Sequence, residues 1–468
     1  MLEGELTAVQ LTRFYLHRIE QLNPELSAVI ATNPDALSLA ASRDKHLADG
    51  KRPGLLHGIP VLIKDNIETK EQATTAGSIL LKDNYTRRDA PLVSKLRQAG
   101  AIILGKTNLS EWANFRSESS YSGWSAVGGL TRNFHNTKNS ACGSSSGSAV
   151  AVAAGLAVAA IGTETDGSIV CPAHVSGVVG LKPGIGLISR RHIVPISPSQ
   201  DTAGPITRNV ADSALLLQVM SGYDAHDPLS SRRTNFQINS SDNLQKNLTG
   251  IRIGVVRTYS GYHNGVDRLL EQSIAAMRAE GAIIVDQLTF KAWPEFDQQT
   301  YQLLLQQFKP ALNQYFSGLP NHHKDLTLER LIQLNQSNSS EELELFNQSI
   351  FVKAQDIKTD VDATRRLQQR LQHHTQTTID NTISKHQLDV LITPTGAPAW
   401  VIDFQLGDKF LGGYSSYSAI AGYPHLTVPM GYAYDMPVGL SIFAGAFSEE
   451  KLLQIGAAVE RLQLYQLR

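Results

Sequence analysis

Residues 142–184 read CGSSSGSAVAVAAGLAVAAIGTETDGSIVCPAHVSGVVGLKPG. Two knots of small residues, Gly143–Ser148 and Asp166–Ser168, bracket one apolar run. That run, Ala149–Ile161, is too short for a bilayer, which needs roughly 17–25 residues. It predicts a buried helix whose small side chains let neighbouring backbones approach closely. Glycine in both knots permits positive φ, so backbone N–H groups can turn inward toward a ligand. Serines there carry hydroxyls on a tightly held backbone, and a hydroxyl needs a base before it attacks a carbonyl. Lys64 ends the apolar stretch Gly58-Ile59-Pro60-Val61-Leu62-Ile63-Lys64. Desolvation there would lower its pKa and supply a neutral amine; the competing reading is a strand-end lysine reaching to water.

Outward from this segment the chain alternates strands and helices. Residues 26–32 and 59–64 read as strands around a helix at 35–48. A helix at 92–98 runs through Gly100 into strand 101–104. The same grammar returns as strand 251–256, helix 269–279, Gly281 and strand 282–285, and further strands are expected at 389–394, 422–429 and 437–442. Such alternation argues for an α/β sheet buried on both faces. Thr7 with Gln10 forms a capping box opening a helix that Asn23-Pro24 should end, and Ser448 should open a last helix to about Glu460. Between 293 and 386 helical spacing dominates.

The 468 residues carry a formal net charge of −1, with 42% hydrophobic and 18% charged residues. This fits a globular enzyme and offers no basic surface for nucleic acid and no membrane segment; Ser231-Arg232-Arg233 is ordinary loop charge. No leader is visible, so the expected location is cytoplasmic, with export open if the N-terminus is truncated. The two cysteines, Cys142 and Cys171, read as separate buried thiols in a reducing compartment, a disulfide being the alternative for an exported protein. The fourteen histidines form no H-E-x-x-H; His322-His323 and His373-His374 read as solvated, and neither metal nor cofactor is expected.

Other nucleophile motifs fare poorly. Gly143–Gly147 matches G-x-S-x-G with Ser145 as nucleophile, but the preceding Asn136–Ser140 is polar and turn-like rather than a strand. Ser448–Lys451 matches S-x-x-K without the S-D-N or K-T-G that should accompany it. The Gly-Ser knot lacks the G-K-[ST] ending of a phosphate loop.

The set GIPVLIKDNI (58–67), CGSSSGS (142–148), GTETDGSIVCPA (162–173), GVVGLKP (177–183) and SQDTAGPITR (199–208) closely resembles the amidase signature family of Ser-Ser-Lys hydrolases. With KTNLSEWANFR (106–116) and SGWSAVGG (122–129), the chain looks most like bacterial peptide amidases within it. The resemblance implies one α/β/α domain over residues 1–468, built on a large mixed sheet. Its catalytic core would span about 57–222, and the helical region 293–386 would shape specificity. It implies Ser168 as nucleophile, Ser144 as bridging serine after a cis Gly143–Ser144 peptide, and Lys64 as base. The backbone N–H groups of Thr165, Asp166, Gly167 and Ser168 would form the oxyanion hole. Two departures stand out: Asp166 replaces a glycine before the nucleophile, and Cys142 replaces one before Gly143. Asp166 could be hydrogen-bonded away from the oxyanion, or could orient the leaving ammonia or a turn.

The implied reaction is hydrolysis of a carboxamide to acid and ammonia through an acyl-enzyme, with C-terminal peptide amides as the expected substrates. Alternatives are a small-molecule or aryl amide hydrolase, a glutaminase subunit of a tRNA-dependent amidotransferase, and a non-catalytic binding protein on the same fold. Phe115, Arg116, Tyr121 and Trp124 would lie near the acyl pocket, the competing reading being ordinary core aromatics. Arg116 would bind a carboxylate or pair with Glu118. Oligomeric state is not readable.

Overall fold

The computed structural model describes residues 4–230, 244, 247–358 and 360–462; Ser231-Arg232-Arg233 lies outside them. Thirteen strands form among the described residues. They are β1 (Val29–Thr32), β2 (Pro60–Lys64), β3 (Ile102–Thr107), β4 (Trp124–Ser125), β5 (Gly129–Leu130), β6 (Ala159–Glu164), β7 (Val179–Lys182), β8 (Thr202–Thr207), β9 (Arg252–Val256), β10 (Ile283–Leu288), β11 (Val390–Pro394), β12 (His425–Ala433) and β13 (Met436–Phe443). Apart from the small β4–β5 pair, they make one eleven-stranded sheet in the order β1-β3-β2-β6-β8-β7-β12-β13-β11-β9-β10. It is mixed. β2 runs parallel to β3 and β6, and β9 runs parallel to β10 and β11. The β6-β8-β7-β12-β13 stretch between them is antiparallel.

The central strands are apolar without alternation because both faces are covered. Val61 and Ile63 of β2, Ile103 of β3 and Ile161 of β6 face one core. Leu62, Ile102, Leu104 and Ala160 face the other, together with the first helix (Ala8–Leu26) and the small-residue helix Ser146–Ala153. Gly147 shows why that helix is built of small residues. A Cβ there would run into the carbonyl oxygen of Ala28 and the backbone of Asn108.

Two sequence expectations change. The run Ala149–Ile161 is not one helix. The helix ends at Ala153, Gly155 turns with φ +64°, and β6 begins at Ala159. An unbroken apolar run carries no period, so a buried helix and a buried strand look alike within it. The first helix keeps its Thr7–Gln10 capping box but continues through Pro24 to Leu26, closing on Ser27 in the left-handed conformation.

The helical stretch inserted between β10 and β11 comprises Phe296–Ser317, Leu328–Ser337, Ser339–Glu342, Ser349–Asp356 and Val361–His386, with a short 3-10 turn at His322–Asp325. Its apolar faces pack Phe308, Phe316 and Phe351 against Trp112 and Phe115. Glu342 reaches back to accept hydrogen bonds from Ser78 Oγ (2.7 Å) and Leu80 N–H (3.3 Å). No helix among the described residues is long and apolar enough to cross a membrane.

Candidate active site

Lys64 is the last residue of β2 and is fully buried between β3 and β6. Its Nζ lies 2.7 Å from Ser144 Oγ, 3.0 Å from Ser145 Oγ, 2.8 Å from Thr163 Oγ1 and 3.2 Å from Thr163 O. Asn66 Nδ2 donates to the same Thr163 hydroxyl at 2.9 Å. No carboxylate among the described residues pairs with the amine. Burial therefore drives its pKa well below the ordinary lysine value, and the more distant Glu164 and Asp201 only partly oppose this. Ser145 Oγ and the two Thr163 oxygens can take the N–H groups of a neutral amine, which leaves its lone pair for Ser144 Oγ–H.

The first knot is held from several sides. The Gly143–Ser144 peptide is cis. Ser144 O accepts from Ser110 N–H (3.1 Å), and Ser145 N–H donates to Ser168 O (3.1 Å), so the two knots are hydrogen-bonded to each other. Ser145 Oγ donates to Thr163 O (3.0 Å) and accepts from Thr163 N–H (3.2 Å). A hydroxyl so engaged, with no strand before it, does not fit the nucleophile elbow.

The second knot is a tight turn between β6 and the helix Val170–Val175. Gly167 stands at φ +80°, a left-handed conformation that favours glycine. Glu164 Oε2 closes the turn by accepting from Ile169 N–H (2.7 Å) and Val170 N–H (3.1 Å). The N–H groups of Asp166, Gly167 and Ser168 donate to no protein acceptor among the described residues. Asp166 turns its carboxylate onto Ser415 Oγ, and enclosure pushes its pKa up. Of the roles open to this departure from glycine, the geometry matches a carboxylate hydrogen-bonded elsewhere. Thr165 Oγ1 donates to Asp201 Oδ1 (2.6 Å), whose other oxygen accepts from Ile196 and Ser197 N–H (2.8 and 2.9 Å).

Cys142 and Cys171 are joined in a disulfide with Cα atoms 6.0 Å apart, 29 residues apart in sequence. This corrects the expectation of separate thiols. Cys142 immediately precedes Gly143, and Cys171 lies three residues past Ser168, so the bond fastens one knot to the other. The sequence separation matches no framework that would reveal it. Closing a loop of this length is worth about 3–4 kcal/mol in chain-entropy terms. Cys171→Ala is expected to lower the denaturant midpoint accordingly. Two titratable thiols in the unreduced native protein would refute the pairing.

The four residues proposed to touch substrate are all buried in packing. Phe115 stacks edge-on to Phe308 and Tyr301. Tyr121 packs on Phe346 and Phe404 and donates to Phe404 O, and Trp124 packs on Phe346. Arg116 is wholly buried. Its Nη groups go to Glu111 Oε1, Glu342 O and Oε2, and Phe346 O, and its guanidinium lies 4.1 Å over the Phe346 ring. It does not pair with Glu118, which instead binds Lys353. These residues form the joint between the 111–126 loop and the helical segment. Arg116→Ala would leave Glu111 and Glu342 buried without their cation. The expected loss is about 3–5 kcal/mol of stability, read as a lower denaturant midpoint. Unchanged stability with a raised KM would restore the substrate role.

Several contacts of the cluster are not legible in the sequence. Ser145, Thr163, Asn66, Glu164 and Asp201 all sit inside quoted motifs, but nothing in a motif says which polar side chain faces Lys64. Ser415 lies 249 residues from Asp166 and carried no signal. A cavity of about 540 Å³ opens beside the cluster, walled by Thr163, Thr165, Ile196, Ala311 and Tyr315. Ser144 and Ser168 do not line it, and Arg88 and Arg190 at its margin are already paired with Glu68 and Asp227.

A buried lysine set against a serine pair, carried on a large mixed sheet, is the equipment of an enzyme that cleaves amide bonds. The chain belongs to the amidase family, whose model (Amidase) matches residues 10–453. It is similar to the native peptide amidase from Stenotrophomonas maltophilia at 44% identity and TM-score 0.90, covering 98% of this chain and 94% of that one. A peptide amidase solved with the competitive inhibitor chymostatin is 45% identical at TM-score 0.91, covering 99% and 96%. A probable amidase of Arabidopsis thaliana is 38% identical over 474 residues, 99% of this chain and 88% of its own length.

Proposed function

We propose that this amidase removes the terminal amide nitrogen of C-terminally amidated peptides as ammonia, with Ser168 as nucleophile, Ser144 as relay and Lys64 as base. The observation that carries the reading is the fully buried Lys64 amine 2.7 Å from Ser144 Oγ, without a carboxylate partner among the described residues. The peptide part rests on similarity to peptide amidases over almost the whole chain. Neutral Lys64 accepts the Ser144 proton while Ser144 takes that of Ser168, whose Oγ bonds the amide carbon. N–H groups of the 165–168 turn hold the oxyanion, each such donor being worth about 3–4 kcal/mol. Collapse breaks the C–N bond, and the proton returns through Ser144 to the departing nitrogen. Water then attacks the acyl-serine by the same route and releases the acid.

In this reading residues 1–468 act as one catalytic unit, and the helices of 293–386 shape what reaches the site. The Cys142–Cys171 bond supports work in an oxidising compartment. The test is ammonia release from amidated di- and tripeptides, glutamine, an aryl amide and a fatty-acid amide. The highest kcat/KM is expected on peptide amides. Preference for another amide would overturn the substrate class, and no release from any would overturn the activity.

A further inference from the structure

The short loop after Leu81 meets the 3-10 turn that opens on Asn321, far from it in sequence. His323 Nε2 lies 3.0 Å from Asp83 Oδ1, and His322 Nε2 lies 3.4 Å from Asp83 Oδ2. One nitrogen from each ring and one carboxylate oxygen fall within 4.8 Å of one another. The two rings lie side by side, centroids 4.0 Å apart.

Both segments are held in place independently of this contact. Asn84 is fully buried, donates to Thr74 O at 2.9 Å, and accepts from Asn321 Nδ2 at 2.9 Å. Asn321 in turn caps the turn by accepting from His323 N–H at 3.0 Å. His323 is buried while His322 and Asp83 are open to solvent, so the three donors converge at the surface with one side free for water.

We propose that Asp83, His322 and His323 bind one late first-row divalent metal ion, of which Zn²⁺ is the representative, clasping the helical segment to the loop after Leu81. Imidazole nitrogen with one carboxylate suits Zn²⁺, Ni²⁺ or Cu²⁺ and not Mg²⁺, which prefers an all-oxygen set. Metal–ligand bonds of 2.0–2.1 Å in tetrahedral geometry place donors roughly 3.3 Å apart. The two nitrogen–oxygen separations, 3.0 and 3.4 Å to the two oxygens of the Asp83 carboxylate, are close to that spacing. His323 is thus buried rather than solvated as its sequence suggests; the partner Asp83 lies about 240 residues away, beyond the reach of a local pattern.

The test uses the full chain, free of any affinity tag and stripped with chelator, titrated calorimetrically with zinc chloride. One Zn²⁺ per chain is expected, with no heat from magnesium chloride at the same concentrations. Asp83→Ala and His322→Ala, each at an exposed position, should weaken Zn²⁺ binding by about tenfold or more. His373→Ala, which removes the other adjacent histidine pair, should leave it unchanged. Absence of binding to the wild-type chain would overturn the proposal. Binding that survives both Asp83→Ala and His322→Ala, or that is lost in His373→Ala, would do so equally.

Discussion

Ser168→Ala is expected to lower kcat for ammonia release by about four to six orders of magnitude, the scale seen when a serine hydrolase loses its nucleophile. It should also abolish covalent labelling by a serine-reactive phosphonate. The substitution removes one oxygen from a small, nearly buried side chain. The turn around it is held by Glu164, by the Ser145–Ser168 backbone bond and by the disulfide, none of which uses the Ser168 hydroxyl. Circular dichroism and the denaturant midpoint should therefore stay at wild-type values. Labelling that persists would move the nucleophile to Ser144 or Ser145. Full ammonia release from the variant would remove the serine mechanism altogether.

Lys64→Ala is expected to cost a comparable factor, because Ser144 then has no base. Lys64→Arg should not restore activity, since a guanidinium stays protonated at any working pH and cannot accept the Ser144 proton. The pH dependence follows from the direction of the shift. In the proposed mechanism Lys64 acts only when neutral, and burial lowers its pKa well below the ordinary value. The wild-type kcat/KM should therefore rise with pH along an acid limb that lies well below 10.5, and fall as pH drops through the pKa of the folded protein. An acid limb near the unperturbed lysine value, or activity within about tenfold of wild type in Lys64→Ala at neutral pH, would assign the base elsewhere.

How much of this was legible depended on where a residue's partner sits. The Lys64, Ser144 and Ser168 positions stand out because glycines and serines cluster where backbone must approach closely, and because a lysine ends an apolar strand. The alternating strands and helices were readable for the same local reason. The Ala149–Ile161 run was not, since a strand and a helix with every face buried show no period. The aromatic loop misled because its partners, Phe346, Glu342 and Phe404, lie more than 200 residues downstream. A buried arginine with two carboxylates and a surface arginine awaiting a ligand look identical in sequence. Ser415 opposite Asp166 and Asp83 beside His322 were hidden by the same distance.

The helical segment leaves the sheet after β10, which forms one edge, and returns at β11, only two strands in. The strands that carry Lys64 and the Ser168 turn lie in the other half of the sheet. The two regions meet where the 111–126 loop packs on the helical segment, through the Arg116 and Glu342 side chains and through the backbone bond from Ile350 N–H to Arg116 O (3.1 Å). A graft that exchanges the helices of 293–386 for another set of similar span would leave the register of β2 and β6 untouched, provided that Arg116 and Ser78 still find an acidic partner where Glu342 now stands. On the proposed reading, in which the helices of 293–386 shape what reaches the site, this joint is a seam along which protein engineers can recut substrate range while the chemistry is kept.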